Sequence, residues 1–246
     1  MEQEPMSEAP LPASLMVRAA AWAVHAFTGS GVVLAMLALL AVERGAWTAA
    51  LAWLGVALIV DGVDGSFARA AKVKERAGRI DGDALDLIID YLSYVFVPAL
   101  FIWRAGLVPP EFGLWLVAAI LVSALYCFAR RDMKTADNYF RGFPALWNVV
   151  ALYLFVAGIA PAYGAAIVAL LAVMTFAPVH FVHPFRVRDY GNWLPALAIL
   201  WAAATAALLW PGWDEGVRLG LFWVSSASAA ILIGLGLLRT ARGPRA

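Results

Sequence analysis

Apolar runs recur along this chain at about the length a helix needs to cross the hydrocarbon layer of a bilayer, roughly 30 Å or about 20 residues. Eight are read: Ala20–Val42, Trp47–Ala68, Ala84–Trp103, Leu114–Ala129, Ala145–Ile159, Gly164–Val182, Trp193–Leu209 and Leu219–Leu237. The fourth and fifth are short and can extend into their flanks. Composition points the same way: 63% of the 246 residues are hydrophobic and 14% charged, against roughly 25% charged in soluble domains. A disordered, fibrous or disulfide-rich chain is excluded. The expected fold is all-α, a polytopic membrane bundle of about eight transmembrane helices, in one domain over residues 1–246. Residues 1–16 form a polar N-terminal segment; Met1–Ser14 lacks the basic start and cleavage site of a secretory signal. The single cysteine, Cys127, excludes an internal disulfide, and a net charge of +1 gives no reason to expect nucleic acid.

Charge placement gives the sidedness, because loops rich in Lys and Arg stay cytoplasmic. Alternate loops hold Arg69, Lys72, Lys74, Arg76 and Arg79, then Arg130, Arg131, Lys134 and Arg141, then Arg186 and Arg188. The C-terminal tail adds Arg239, Arg242 and Arg245. With Arg18 these make fifteen of the eighteen basic residues, leaving Arg44, Arg104 and Arg218 for the other side. An odd number of spans would break the alternation, so an even number with both termini cytoplasmic is expected.

Against this background the acidic residues are informative, since ionised groups at membrane depth are costly and usually functional. Asp61 and Asp64 lie near the cytoplasmic end of the second span, and Asp86 and Asp90 begin the third. At about 100° per residue, Asp61, Asp64, Gly65, Ala68 and Arg69 share an arc of roughly 140°. Asp86 and Asp90 are one turn apart on a common face. The two spans are consecutive, so the mouth of their hairpin brings four carboxylates together. Like charges in low dielectric need compensation, and hard oxygen ligands suit Mg²⁺ or Mn²⁺. Gly62, Gly65 and Gly82 cost helix stability and make sense where a ligand approaches the backbone. Arg69 suits an anionic phosphate. Asp83 is read as a helix-start residue only.

The pattern Asp61-x-x-Asp64-Gly65-x-x-Ala68-Arg69, then Gly82-x-x-x-Asp86-x-x-x-Asp90, resembles the signature of the CDP-alcohol phosphatidyltransferases. All eight fixed residues occur in order, with a spacer of twelve residues, Ala70 to Asp81, where the family usually has eight. That spacer, with Tyr94-Val-Phe-Val-Pro98, Phe140-Arg-Gly-Phe-Pro-Ala-Leu-Trp-Asn148 and His183-Pro-Phe-Arg186, resembles the bacterial phosphatidylcholine synthases within the family.

The resemblance implies that the hydroxyl of choline attacks the β-phosphorus of CDP-diacylglycerol. It implies that Asp61, Asp64 and Asp86 ligate a divalent pair, Mn²⁺ or Mg²⁺, and that Asp90 is the general base, able to share a metal. It also implies that Gly65, Ala68 and Gly82 line the nucleotide pocket, that Arg69 holds phosphate, and that the protein is a homodimer of the bacterial inner membrane. A quaternary ammonium is bound by aromatic faces, which makes Tyr94, Tyr139 and Trp147 the acceptor-binding candidates. His180 and His183 are read as interfacial hydrogen bonders. Two alternatives stay open: a sibling enzyme using serine, inositol or glycerol phosphate, for which Arg130, Arg131 and Arg141 would supply the basic cluster, and a cation-coupled transporter. The carboxylates' place near one face and the lack of an inverted repeat weigh against the transporter.

Overall fold

The structure is a computed structural model and describes residues 15–243. Met1–Ser14 and Arg245, which carry part of the sidedness expectation, lie outside the described residues.

α1 (Leu15–Glu43) and α2 (Trp47–Ala70) form an opening hairpin. Along α1 the residues Ala21, His25, Thr28, Ala35, Ala38 and Val42 are buried, a three-and-four spacing that makes one stripe. Its small side chains let the two backbones come close. The facing stripe of α2 runs through Leu51, Leu54 and Ala57 to Asp64, so acidic residues continue a line that began as core. α3 (Val73–Arg76) is a single turn whose Val73, with Ala77, packs on Ala21.

A rod of three pieces follows: α4 (Gly82–Asp90), a π-helical turn over Tyr91–Phe96, and α5 (Val97–Arg104). α6 (Pro110–Ala129), α7 (Trp147–Val156), α8 (Pro161–Met174), α9 (Trp193–Ala207) and α10 (Glu215–Arg242) complete the helices. The main core surrounds the rod and includes Val95, Phe101, Ile102, Ile120, Ala124, Trp147, Leu154 and Val168.

All eight expected spans fall on helices, and the chain is an all-α, multi-pass membrane protein. Among the described residues five segments are long and apolar enough to cross a bilayer: Met16–Glu43, Trp47–Ala70, Gly82–Arg104, Pro110–Ala129 and Glu215–Arg242. The remaining three, α7, α8 and α9, have 10, 14 and 15 residues. The fourth span does extend into its flank, back to Pro110. The fifth and sixth are shorter than their apolar runs. α8 stops at Met174 rather than continuing to Val182, because Pro178 cannot continue a helix and the chain end is taken up by another loop. Phe143 N–H donates to Met174 O at 3.1 Å and Gly142 N–H to Val179 O at 2.7 Å. Gly142 has φ +77°, and a Cβ there would lie 2.2 Å from the Thr175 carbonyl oxygen, so only glycine fits this crossing.

That crossing belongs to a compact cap at one end of the bundle. β1 (Phe140–Arg141) pairs antiparallel with β2 (His180–Phe181), Phe140 opposite Phe181. The end of α10 joins them through Arg239 and Asp137, an ion pair of 2.7 Å, and through the His180 N–H, which donates to Thr240 Oγ1 at 2.7 Å. The first half of α1 meets the α2–α4 connection where His25 Nε2 lies 3.3 Å from Ala77 O.

Candidate active site

Asp61 on α2 and Asp86 and Asp90 on α4 each present a carboxylate oxygen, and the three atoms lie within 4.8 Å of one another. Two unit charges at that distance repel by roughly 3 kcal/mol even at an effective dielectric near 20. A trio of aspartates is therefore stable as anions only with cations among them. The donor set is all hard oxygen, and Asp90 Oδ1 is buried without a hydrogen-bond partner among the described residues. Both features fit Mg²⁺ or Mn²⁺. Asp64 stands outside the trio, buried on the same stripe of α2 and facing Thr28 of α1. The packing that seats α4 is tight: a Cβ on Gly31 of α1 would lie 2.5 Å from Ile89 Cγ2, so this glycine admits the turn that carries Asp90.

Directly after Asp90 the helix widens. Val97 N–H bonds to Leu92 O, five residues back, and Pro98 has no N–H to give to the carbonyl that would normally receive it. The π turn that results buries Tyr94, whose hydroxyl donates to Asp61 Oδ2. π turns of this kind occur often at functional sites. Tyr94 thus reaches the carboxylates as its spacing from Asp90 suggests, but with its hydroxyl engaged on Asp61.

The other signature residues surround the trio. A Cβ on Gly65 would meet only Arg69 Nη1, at 3.4 Å, whereas one on Gly82 would meet His25 Cε1 at 3.4 Å. The first glycine leaves room for a ligand, and the second sits against α1. Arg69 is exposed and donates to Ser66 Oγ at 3.0 Å. Ala68 packs with Val73 and Ala77. Asp81, not Asp83, caps α4, accepting from Asp83 N–H and Ala84 N–H at 3.0 and 3.1 Å. Asp83 is paired with Lys74 at 2.7 Å on the surface.

The model of the CDP-alcohol phosphatidyltransferase family matches residues 22–231. This chain belongs to that family. The phosphatidylcholine synthase of Pseudomonas aeruginosa is 47% identical over 227 residues, 92% of this chain and 94% of the relative. That of Bradyrhizobium diazoefficiens is 42% identical over 238 residues, 94% and 88%. The same name belongs to a Borreliella burgdorferi relative, 34% identical over 169 residues, 69% and 72%.

Beyond the phosphatidyltransferase signature, the aromatic candidates divide. Tyr139 is fully buried in a second small core with Val182, Val187 and Leu194. Its hydroxyl donates to Asp189 at 3.0 Å, and Arg239 lies over its ring at 5.5 Å, contacts that tie it to the cap. Trp147 is fully buried in the main core, edge-on to Phe143, with Nε1 lacking a partner among the described residues. The arginines kept for a phosphorylated acceptor are partly engaged. Arg130 pairs with Asp132 at 2.8 Å and Arg141 with the same carboxylate at 3.3 Å, while Arg131 is exposed.

Of the histidines, His180 bonds Thr240 as a hydrogen bonder should. His183 instead stacks on Phe140, ring centroids 5.4 Å apart and planes 7° apart. Burial first, then Lys134 and Arg186, push its ring down to about 4, so the imidazole is neutral at pH 7. A residue near the carboxylates that sequence reading passed over is Lys134. It counted only as a sidedness charge, yet it is half-buried with Asp86, Asp61 and Asp90 in electrostatic range. The available signal was its place in the connection that holds Phe140 and leads into Trp147 at the start of α7.

Proposed function

We propose that this phosphatidyltransferase is a phosphatidylcholine synthase, transferring the phosphatidyl group of CDP-diacylglycerol to choline with release of CMP. The observation that carries the reading is likeness along nine-tenths of the chain to relatives of that one name. The site is suited to the chemistry. Asp61, Asp64, Asp86 and Asp90 would hold divalent ions, Mg²⁺ or Mn²⁺, which when bound supply the positive charge that a diphosphate needs.

In the transfer, the choline oxygen forms a bond to the β-phosphorus while the bond from that phosphorus to the CMP oxygen breaks. Asp90, whose Oδ1 has no partner among the described residues, takes the hydroxyl proton. Gly65 leaves the backbone open to the nucleotide, and Arg69 meets a phosphate oxygen. Asp61 is held in place by Tyr94. The acceptor's quaternary ammonium is drawn by the carboxylates themselves, and Tyr94 is the aromatic candidate in contact with them. The membrane is the bacterial inner membrane, with the cap and the carboxylates on the cytoplasmic side where most basic residues gather, and the protein acts as a homodimer.

The test is incubation of purified protein in detergent with CDP-diacylglycerol, Mn²⁺ or Mg²⁺, and a panel of labelled alcohols. Phosphatidylcholine and CMP are expected from choline, and excess chelator should abolish both. Product from serine, inositol or glycerol phosphate in place of choline would move the protein to a sibling activity. Full turnover under chelation would overturn the metal assignment.

A further inference from the structure

Lys134 lies outside the signature, on the connection between α6 and α7, and the fold fixes its place. Its backbone forms an antiparallel bridge with Phe140, and its Nζ stands 5.1 Å from the centroid of the Phe140 ring. Phe140 is itself set by the β1–β2 pairing and by the stacked ring of His183. An ammonium over an aromatic face is attracted to it but forms no hydrogen bond there, so its three N–H donors stay available. Among the described residues Lys134 makes no ion pair and no hydrogen bond, although three aspartates lie within electrostatic range. Arg186 is within the same range of Lys134 and is likewise unpaired among the described residues. Beside them His183 Nδ1 is buried without a partner among the described residues. Two adjacent cations repel, and a half-buried lysine loses hydration. Such a group is stabilised once an anion arrives between it and its neighbour.

We propose that Lys134, with Arg186 beside it, binds the diphosphate of the liponucleotide next to the signature carboxylates, and that Phe140 is the positioning residue that holds the ammonium there. The proposal rests on the phosphatidyltransferase reading above and deepens it. The signature offers one cation, Arg69, to a ligand with two phosphates, and Lys134 and Arg186 supply the others. During transfer Lys134 keeps its proton. It stabilises charge on the non-bridging oxygens of the β-phosphate as the acceptor bond forms and the CMP bond breaks.

The chain has three lysines, Lys72, Lys74 and Lys134, so amine labelling read by mass spectrometry isolates the one in question. In the intact protein in detergent with Mn²⁺, CDP is expected to protect Lys134 at least several-fold, with Lys74, paired to Asp83 on the surface, unchanged. Lys134→Met should weaken CDP binding by roughly ten-fold or more, the scale of a charge-assisted hydrogen bond, and Lys134→Arg should recover most of it. Phe140→Leu should weaken CDP binding less and leave the KM for choline within about two-fold; a larger change in that KM would make Phe140 an acceptor residue and overturn its positioning role. Equal labelling of Lys134 with and without CDP overturns the proposal even if no variant folds. Protection by phosphatidic acid micelles but not by CDP also overturns it, in favour of a lipid headgroup. Failure of the wild-type protein to make phosphatidylcholine would overturn the choice of acceptor and leave the CDP measurements standing.

Discussion

Tyr94 is where one hydroxyl decides between two roles. As a wall of an aromatic cage it would act through its ring, and phenylalanine would serve nearly as well. As the donor to Asp61 it acts through its oxygen, and partners that orient a metal ligand are typically worth 10–100-fold in affinity. Tyr94→Phe is therefore expected to weaken Mn²⁺ binding by about 10-fold, followed by paramagnetic resonance titration, with little change in the KM for choline. The reverse pattern would return Tyr94 to the acceptor site. Asp90→Asn should lower turnover by roughly 10²-fold or more, with a smaller loss of CDP affinity measured on the same preparation; equal losses would make it chiefly a ligand. The aspartates were legible because helical spacing alone puts Asp61 with Asp64 and Asp86 with Asp90 on shared faces. Lys134 was not, because it reaches the trio by a loop whose path depends on the β1–β2 pairing, and no periodicity encodes that. The position of Tyr139 was hidden for the same reason: it neighbours Phe140 in sequence but packs in the second core.

At the scale of elements, hydropathy located the apolar helices but not the polar turn α3, and it said little about internal register. The π turn over Tyr91–Phe96 illustrates this. The apolar run is unbroken there, and only Pro98 marks the place, by withholding the N–H that would close an α-helical turn on Tyr94. Pro98→Ala restores that donor and favours the tighter register, which would rotate Tyr94 away from Asp61. The expected result is a loss of Mn²⁺ affinity comparable to that of Tyr94→Phe, read beside a thermal melt to exclude general unfolding; undiminished affinity would mean the turn is held by packing alone. Apolar composition also hid the end of α8, since Thr175–Val182 remains hydrophobic while running as loop and strand. A different element-scale device holds the C-terminal helices. Trp201 Nε1 donates to Tyr153 Oη at 2.9 Å, which lies 2.6 Å from Ser225 Oγ, itself 2.7 Å from Thr205 Oγ1. Such bonds between helices in lipid average about 0.6 kcal/mol, so Ser225→Ala, which touches two of them, should destabilise the α7–α9–α10 packing by roughly 1 kcal/mol in detergent unfolding.

Across the whole molecule, the charge alternation predicts that several basic segments share one side, but it does not predict that the loops around Lys134 and His180 are bonded to the end of α10 in a single cap. Sidedness needs only the sign of each loop, whereas the cap depends on which particular residues meet. Arg239 on α10 reaches Asp137, in the connection that also carries Lys134, and covers the ring of Tyr139. Through this pair the last helix steadies the loop that faces the carboxylates. The hydrogen bond from Arg239 first, then those from Thr135 and the backbone, hold the Asp137 carboxyl down to about 2, against an ordinary 3.8. Because the folded value is the lower one, the stabilisation is fully present above the unfolded value and fades as pH falls through the folded one. The pair is partly exposed, so screening limits its worth to on the order of 1 kcal/mol at neutral pH. Asp137→Asn should lower the unfolding free energy by that amount at pH 7 and speed hydrogen exchange in residues 175–182 and the last turns of α10. The gap between wild type and variant should hold down to about pH 5, narrow through about pH 4 to 2, and close only below about pH 2. A gap that instead widens on acidification would show that the carboxylate is destabilising in the folded cap, and that α10 is held there by the Thr240–His180 contacts alone.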